Sequence, residues 1–138
     1  PKASLYADPR GIPEFRAAVQ RKLLRENALT VDPETEITAT PGGKAGIVAA
    51  LLALVGPGDE VLLEDPGWLS FEPMIRITGA EPVPVPLDES NGFRLAAADI
   101  EKRITRRTRV VVLCSPHNPT GAVLSRGDLE AIASLAIE

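Results

Sequence analysis

The chain has 138 residues and a mass of 14.7 kDa, enough for one domain or part of one. Fifteen Lys and Arg against nineteen Asp and Glu leave a net charge of −4, which speaks against a basic nucleic-acid surface. A composition of 44% hydrophobic and 25% charged residues is that of a folded globular chain rather than a disordered or fibrous one.

One cysteine, Cys114, excludes an intramolecular disulfide, and with the single histidine, His117, it supplies too few soft ligands for a zinc site. No apolar stretch approaches the roughly 20 residues of a membrane span, and the longest, Ala45 to Val55, is too far from the N-terminus for a signal peptide. A reducing, cytoplasmic setting is expected. With three Phe, one Trp and one Tyr, the core must be built from Val, Ile, Leu and Ala.

The first predicted helix runs from Pro13 to Asn27, with proline in its first turn and Ile12, Phe15, Val19 and Leu23 on one face. Glu36 to Thr40 reads as a strand that stops at Pro41-Gly42-Gly43, and Lys44 to Val55 as a helix apolar on nearly every side, hence buried. Gly56-Pro57-Gly58-Asp59 ends it. Glu60 to Glu64 follows as a short strand closed by Asp65-Pro66-Gly67.

Ser70 to Thr78 is predicted helical, with Phe71, Met74, Ile75 and Thr78 at helical spacing and Gly79 as its stop. Pro82-Val83-Pro84-Val85-Pro86 lacks the donors for a full ladder and reads as an edge strand. Asp99 is expected to cap a short helix to Ile104. Arg109 to Cys114 is a continuous apolar run, the pattern of a strand covered on both faces. A last helix starts after Ser125, with Asp128 in its first turn and Leu129, Ile132, Ala133 and Leu135 as its apolar face.

Strands and helices that alternate across short turns imply an α/β fold, with helices on both sides of a mainly parallel sheet. The last helix has no stop signal and the chain opens abruptly at Pro1-Lys2, so residues 1–138 are expected to be a partial domain cut at both ends.

Three loops carry candidate chemistry. Pro41-Gly42-Gly43-Lys44 lies before a helix, where N–H groups and the helix dipole make an anion site; a tight turn that only permits close packing is the alternative. It is not a Walker A loop, because Ala45 stands where Ser or Thr is needed, and Gly56-Pro57-Gly58 is not a dinucleotide fingerprint, because Val61 stands where the third glycine should be. Asp65-Pro66-Gly67-Trp68 sets the only tryptophan past the carboxyl end of a strand, where it can stack on a ligand ring or cap the core. Ser115-Pro116-His117-Asn118-Pro119-Thr120-Gly121 follows another strand at the corresponding edge. Asn118 there can serve a ligand oxygen or only its own backbone. His117 reads as an ordinary loop residue rather than part of a Ser-His-Asp triad, and Cys114 as a small hydrophobe. The adjacent carboxylates Asp59/Glu60 and Glu64/Asp65 read as the solvated ends of one strand.

Taken together, and with Tyr6-Ala7-Asp8-Pro9-Arg10-Gly11-Ile12-Pro13-Glu14-Phe15-Arg16, these loops closely resemble the class I/II aminotransferases, the fold-type I enzymes that use pyridoxal 5′-phosphate. The resemblance covers essentially the whole chain and matches the front half of the family's large domain. It implies an incomplete three-layer α/β/α fold. In it the amides of Gly43 and Lys44 hold the cofactor phosphate, Trp68 stacks on the pyridine ring, and Asn118 bonds the ring's phenolic oxygen. Tyr6 would reach the partner subunit's phosphate in a homodimer, and the bonds before Pro66 and Pro119 would be cis.

The implied reaction moves an amino group between an amino acid and a 2-oxo acid by Schiff-base exchange. The catalytic lysine would lie beyond Glu138, so no catalytic residue is assigned within the chain, and the isolated polypeptide is expected to be inactive. Neither nucleic acid nor membrane is an expected partner. A ligand-sensing aminotransferase-like domain of a transcription regulator, or a related fold-type I lyase, would share the same loops. In the family the strand matching Glu36 to Thr40 is separated from the others by strands later in sequence, so here it is expected to lack a neighbour.

Overall fold

The structure is a computed structural model that describes residues 6–137. Its elements in order are α1 (Pro13–Asn27), α2 (Gly43–Leu54), β1 (Glu60–Asp65), α3 (Phe71–Ile77), β2 (Glu81–Pro86), α4 (Ala97–Glu101), β3 (Thr108–Val112) and α5 (Arg126–Leu135). They fall into two compact units that part within α2, between Ile47 and Val48. No helix among the described residues is long and apolar enough to cross a membrane.

Among the described residues, the first unit is organised around a buried charge. Arg16 projects from α1 and is 1% exposed. Its guanidinium donates to the Pro33 carbonyl at 2.8 Å, to both Glu34 oxygens at 2.8 and 2.9 Å, to the Gly11 carbonyl, and to Asp8 at 3.4 Å. A buried guanidinium needs most of its five donors satisfied, and here the loops on either side of α1 satisfy them. The expected apolar face is weaker. Ile12 and Phe15 are each 51% exposed, while Val19 and Leu23 are half-buried.

Glu36 to Thr40 forms no strand. A strand exists only through a partner's ladder, and among the described residues the segment's one backbone tie of that kind is the Ala39 N–H to the Arg10 carbonyl at 2.8 Å.

The second unit is built on a parallel sheet in the order β2-β1-β3. Side chains alternate along the central β1. Leu62 joins Val85, Leu95, Ile100 of α4 and Ile132 of α5 in one core cluster. Val61 and Leu63 point to the opposite face, where α3 packs on β1 and β2 through buried Phe71, Met74 and Ile75. Burying a side chain of this size contributes about 1.5–3 kcal/mol, so the short β1 anchors both layers.

β2 is the expected edge strand. Glu81 and Leu87 donate to the Asp59 and Asp65 carbonyls of the β1 segment, at 2.9 and 2.7 Å, so the N–H groups of alternate residues face away from β1. Pro82, Pro84 and Pro86 occupy those outward positions, where a missing donor costs nothing. Gly79 ends the turn after α3 with φ +85°, and a Cβ there would stand 2.9 Å from the Pro57 ring. The α5 start carries the full capping box: the Asp128 N–H donates to Ser125 Oγ at 3.2 Å and the Ser125 N–H to Asp128 Oδ2 at 2.9 Å.

Three further expectations are corrected. α2 forms where predicted but is not buried all round: Leu51 is covered, while Leu52 and Leu54 are 57% and 62% exposed. β3 is shorter than Arg109 to Cys114 and only half-buried, because it is the sheet's second edge. α4 begins at Ala97 after Ala96, not at a cap on Asp99, whose carboxylate pairs instead with Lys102 at 3.0 Å.

Candidate active-site edge

Parallel strands end on the same side of a sheet, so the loops after β1 and β3 share one edge. The loop after β1 begins with a cis Asp65-Pro66 bond and the one after β3 holds cis bonds at Ser115-Pro116 and Asn118-Pro119. The bonds before Pro66 and Pro119 were expected to be cis; the one before Pro116 was not.

Gly67 is required by a close approach, since a Cβ at this position would fall 2.3 Å from the Glu64 carbonyl oxygen. Trp68 follows, half-buried, with its ring edge-on to Phe71 at a centroid distance of 5.1 Å. The buried Phe71 props the indole from one side. A cleft of about 480 Å³ lies beside it, lined in part by Leu63, Glu64, Pro66, Trp68, Glu72 and Arg76.

Asn118 is exposed at the tip of the second loop, and its side-chain amide makes no hydrogen bond among the described residues. It therefore does not serve its own backbone. The loop is closed beneath it by the His117 N–H to the Ala122 carbonyl at 2.7 Å and the Gly121 N–H to the His117 carbonyl at 2.8 Å. Ser115 Oγ accepts the Leu124 N–H at 3.1 Å. An amide held on a braced loop keeps both of its donors for something else.

Sequence reasoning missed the buried groups under this edge. Glu64 and His117 are 6% and 5% exposed, not a solvated strand end and an ordinary loop residue. Glu64 Oε2 accepts the Cys114 N–H at 3.0 Å and lies 3.6 Å from His117 Nε2. Burial pushes the Glu64 carboxyl up from its usual range, against the opposing pull of the Cys114 amide and of the nearby His117 ring. Glu60, at the other end of β1, is 4% exposed and pairs with Arg107. The signal was present: residues 60, 62 and 64 share one strand face, so both glutamates lie in phase with the core residue Leu62.

The remaining candidates belong to the first unit. Gly43 opens α2, is exposed, and has open space where a Cβ would stand. Lys44 follows it in the first turn and is also exposed. The opening turn of a helix presents N–H groups that the helix itself does not satisfy, which suits an anion. Tyr6 is fully exposed.

The whole chain, residues 1–138, matches the family described as Aminotransferase class I and II. The chain belongs to the class I and II aminotransferases. Among curated relatives, a probable aspartate/prephenate aminotransferase of Aquifex aeolicus is 41% identical over 96% of this chain and 34% of its own length. A probable aspartate aminotransferase of Streptomyces griseus is 42% identical over the whole chain and 64% of its own length. Among solved structures, an aspartate aminotransferase of Thermus thermophilus with maleate superposes with a TM-score of 0.91 at 43% identity, over 96% of this chain and 35% of that one. An aromatic aminotransferase of Pyrococcus horikoshii gives 0.92 at 38% identity, over 96% and 36%. The chain thus spans about a third of the length of most of these relatives, and its parallel sheet is part of the fold-type I architecture.

Class I and II aminotransferases depend on pyridoxal 5′-phosphate. The groups on this chain fit that molecule's chemistry: helix N–H groups for a phosphate, a propped indole for a flat ring, and an uncommitted amide for a ring oxygen.

Proposed function

We propose that the chain is the cofactor-holding front part of an aminotransferase that moves an amino group between an amino acid of the acidic or aromatic type and a 2-oxo acid. The observation that carries this reading is Asn118, presented on a loop with three fixed ties while its amide stays uncommitted, one strand away from a propped Trp68. The names of the relatives support the substrate class.

In this reading Gly43 and Lys44 bind the phosphate by their backbone N–H groups. Trp68 covers one face of the ring and excludes water from it, and the Asn118 amide donates to the phenolic oxygen. Tyr6 reaches the phosphate of a partner subunit, which makes the complete protein a homodimer. The bound cofactor supplies an electron sink for the amino acid's α-carbon. The catalytic lysine of the family would lie beyond Glu138, and the isolated chain is expected to be inactive.

The test is the absorption of pyridoxal phosphate bound to the complete protein, recorded across pH for the wild type and for Asn118→Ala. Loss of a donor to the phenolic oxygen makes that oxygen harder to ionise, so the absorption change moves to higher pH in the variant. An unaltered spectrum overturns the assignment of Asn118.

A further inference from the structure

We propose that Glu64, His117 and Thr120 form a buried positioning relay that holds the loop presenting Asn118, with His117 locked as its neutral Nε2–H tautomer; the functional consequence rests on the cofactor reading above. Thr120 Oγ1 lies 2.7 Å from His117 Nδ1 and accepts the Ala122 N–H at 3.3 Å. A hydroxyl has one hydrogen to give, and Nδ1 is its acceptor among the described residues. In the proposed arrangement the threonine donates to Nδ1, and the imidazole proton sits on Nε2.

That nitrogen is buried and makes no hydrogen bond, yet it points at the carboxylate of Glu64 from 3.6 Å. The opposite tautomer would set a buried Nε2 lone pair against a carboxylate oxygen and leave the hydrogen of the half-buried threonine without an acceptor among the described residues. The chosen tautomer removes both. Glu64 Oε2 is an acceptor in either protonation state, because a proton can occupy Oε1. The other charged and titratable groups around the pair are already committed. Cys114 gives its backbone N–H to Glu64 and its thiol to the Pro116 carbonyl at 3.4 Å. Arg94, which lines the same small cavity of about 10 Å³, is held by Asp128 at 2.8 to 3.2 Å. This space is at the lower limit for one water, so Glu64 is the partner the geometry offers.

The relay ties the end of β1 to both flanks of Asn118: His117 precedes it and Thr120 follows Pro119. None of the three is a catalytic residue. They are positioning residues, and the loop stays put because its two halves are anchored to a group 53 residues earlier in the chain, as His117 is to Glu64.

The experiment is nitrogen-15 NMR of the imidazole groups in the complete, histidine-labelled protein, with the His117 signals identified by their loss in His117→Gln. The expected result is a protonated Nε2 and an unprotonated Nδ1 near neutral pH. Glu64→Gln keeps an oxygen at the one position that faces both the Cys114 N–H and Nε2, so the Nε2–H tautomer should persist, whereas Glu64→Leu removes that acceptor and should shift the Nε2–H signal. A wild type protonated at Nδ1, or an Nε2–H signal in Glu64→Leu identical to that of the wild type, overturns the relay.

Positioning is read separately from bound-cofactor absorption. Thr120→Val should shift its pH dependence in the same direction as Asn118→Ala, and Thr120→Ser should restore it. No shift in Thr120→Val, in a protein whose Asn118→Ala variant does shift, overturns the positioning role. A protein whose Asn118→Ala spectrum is unaltered sinks the cofactor reading instead, and the tautomer result still decides the relay.

Discussion

Replacing Gly67 by alanine puts a methyl carbon 2.3 Å from the carbonyl oxygen of Glu64. An ordinary contact between such atoms needs about 3.3 Å, so roughly 1 Å of movement must be found. The obstacle is backbone on the central strand, with neighbouring strands on both sides, and it cannot swing away as a side-chain tip does. Overpacking of this kind costs about 1–3 kcal/mol, and a backbone obstacle places Gly67→Ala in the upper half of that range. A loss of about 2 kcal/mol lowers the ratio of folded to unfolded protein by roughly 30-fold. Gly43→Ala is the internal control: its Cβ meets nothing within 4 Å and it lies in a helix, where alanine is favoured by up to about 1 kcal/mol. Urea unfolding of the complete protein, read as a change in midpoint at constant slope, compares the two. The reasoning fails if Gly67→Ala unfolds at the wild-type midpoint, or if both glycines respond alike.

Trp68→Ala should weaken retention of pyridoxal phosphate by about 1 kcal/mol, close to fivefold in dissociation constant; a titration that finds equal affinity removes the stacking role. Ser125→Ala deletes the hydroxyl that accepts the Asp128 N–H and should cost about 1 kcal/mol, visible as faster amide exchange in α5, whereas unchanged exchange would mean that the cap does not hold the helix. The Glu64 carboxyl is raised in the folded protein, so the stability it contributes is fully present below the ordinary carboxylate range and is lost as pH rises through its elevated value. Glu64→Gln does not titrate, so its stability relative to wild type should climb with pH over that window; a difference that stays flat from acid to neutral pH contradicts the burial argument.

Much of the fold was legible because local chemistry decides it. The start of α1 follows from Pro13 in its first turn, whereas its left-handed end at Ala28 carries no sequence signal. The edge position of β2 follows from three prolines on one side of the strand, and the start of α5 from the Ser125–Asp128 spacing. The candidate loops were legible for the same reason, since proline, glycine and asparagine impose turns wherever they stand.

Burial was read less well. A run such as Lys44 to Val55 states what the chain would gain by covering it, and of that run only Leu51 and Val55 are buried among the described residues. Glu36 to Thr40 has strand composition, but a strand is a relation between two segments, and among the described residues its one backbone tie of that kind, to Arg10, makes no ladder. Local chemistry along the chain thus sets the helices, the turns, β1 to β3 and the loops that carry Trp68 and Asn118. The burial of Arg16, Glu64 and His117 comes from long-range packing. A charge or imidazole leaves water only when distant partners converge on it, and those partners, Glu34 for Arg16 and Cys114 and His117 of the loop after β3 for Glu64, are adjacent in space and not in sequence.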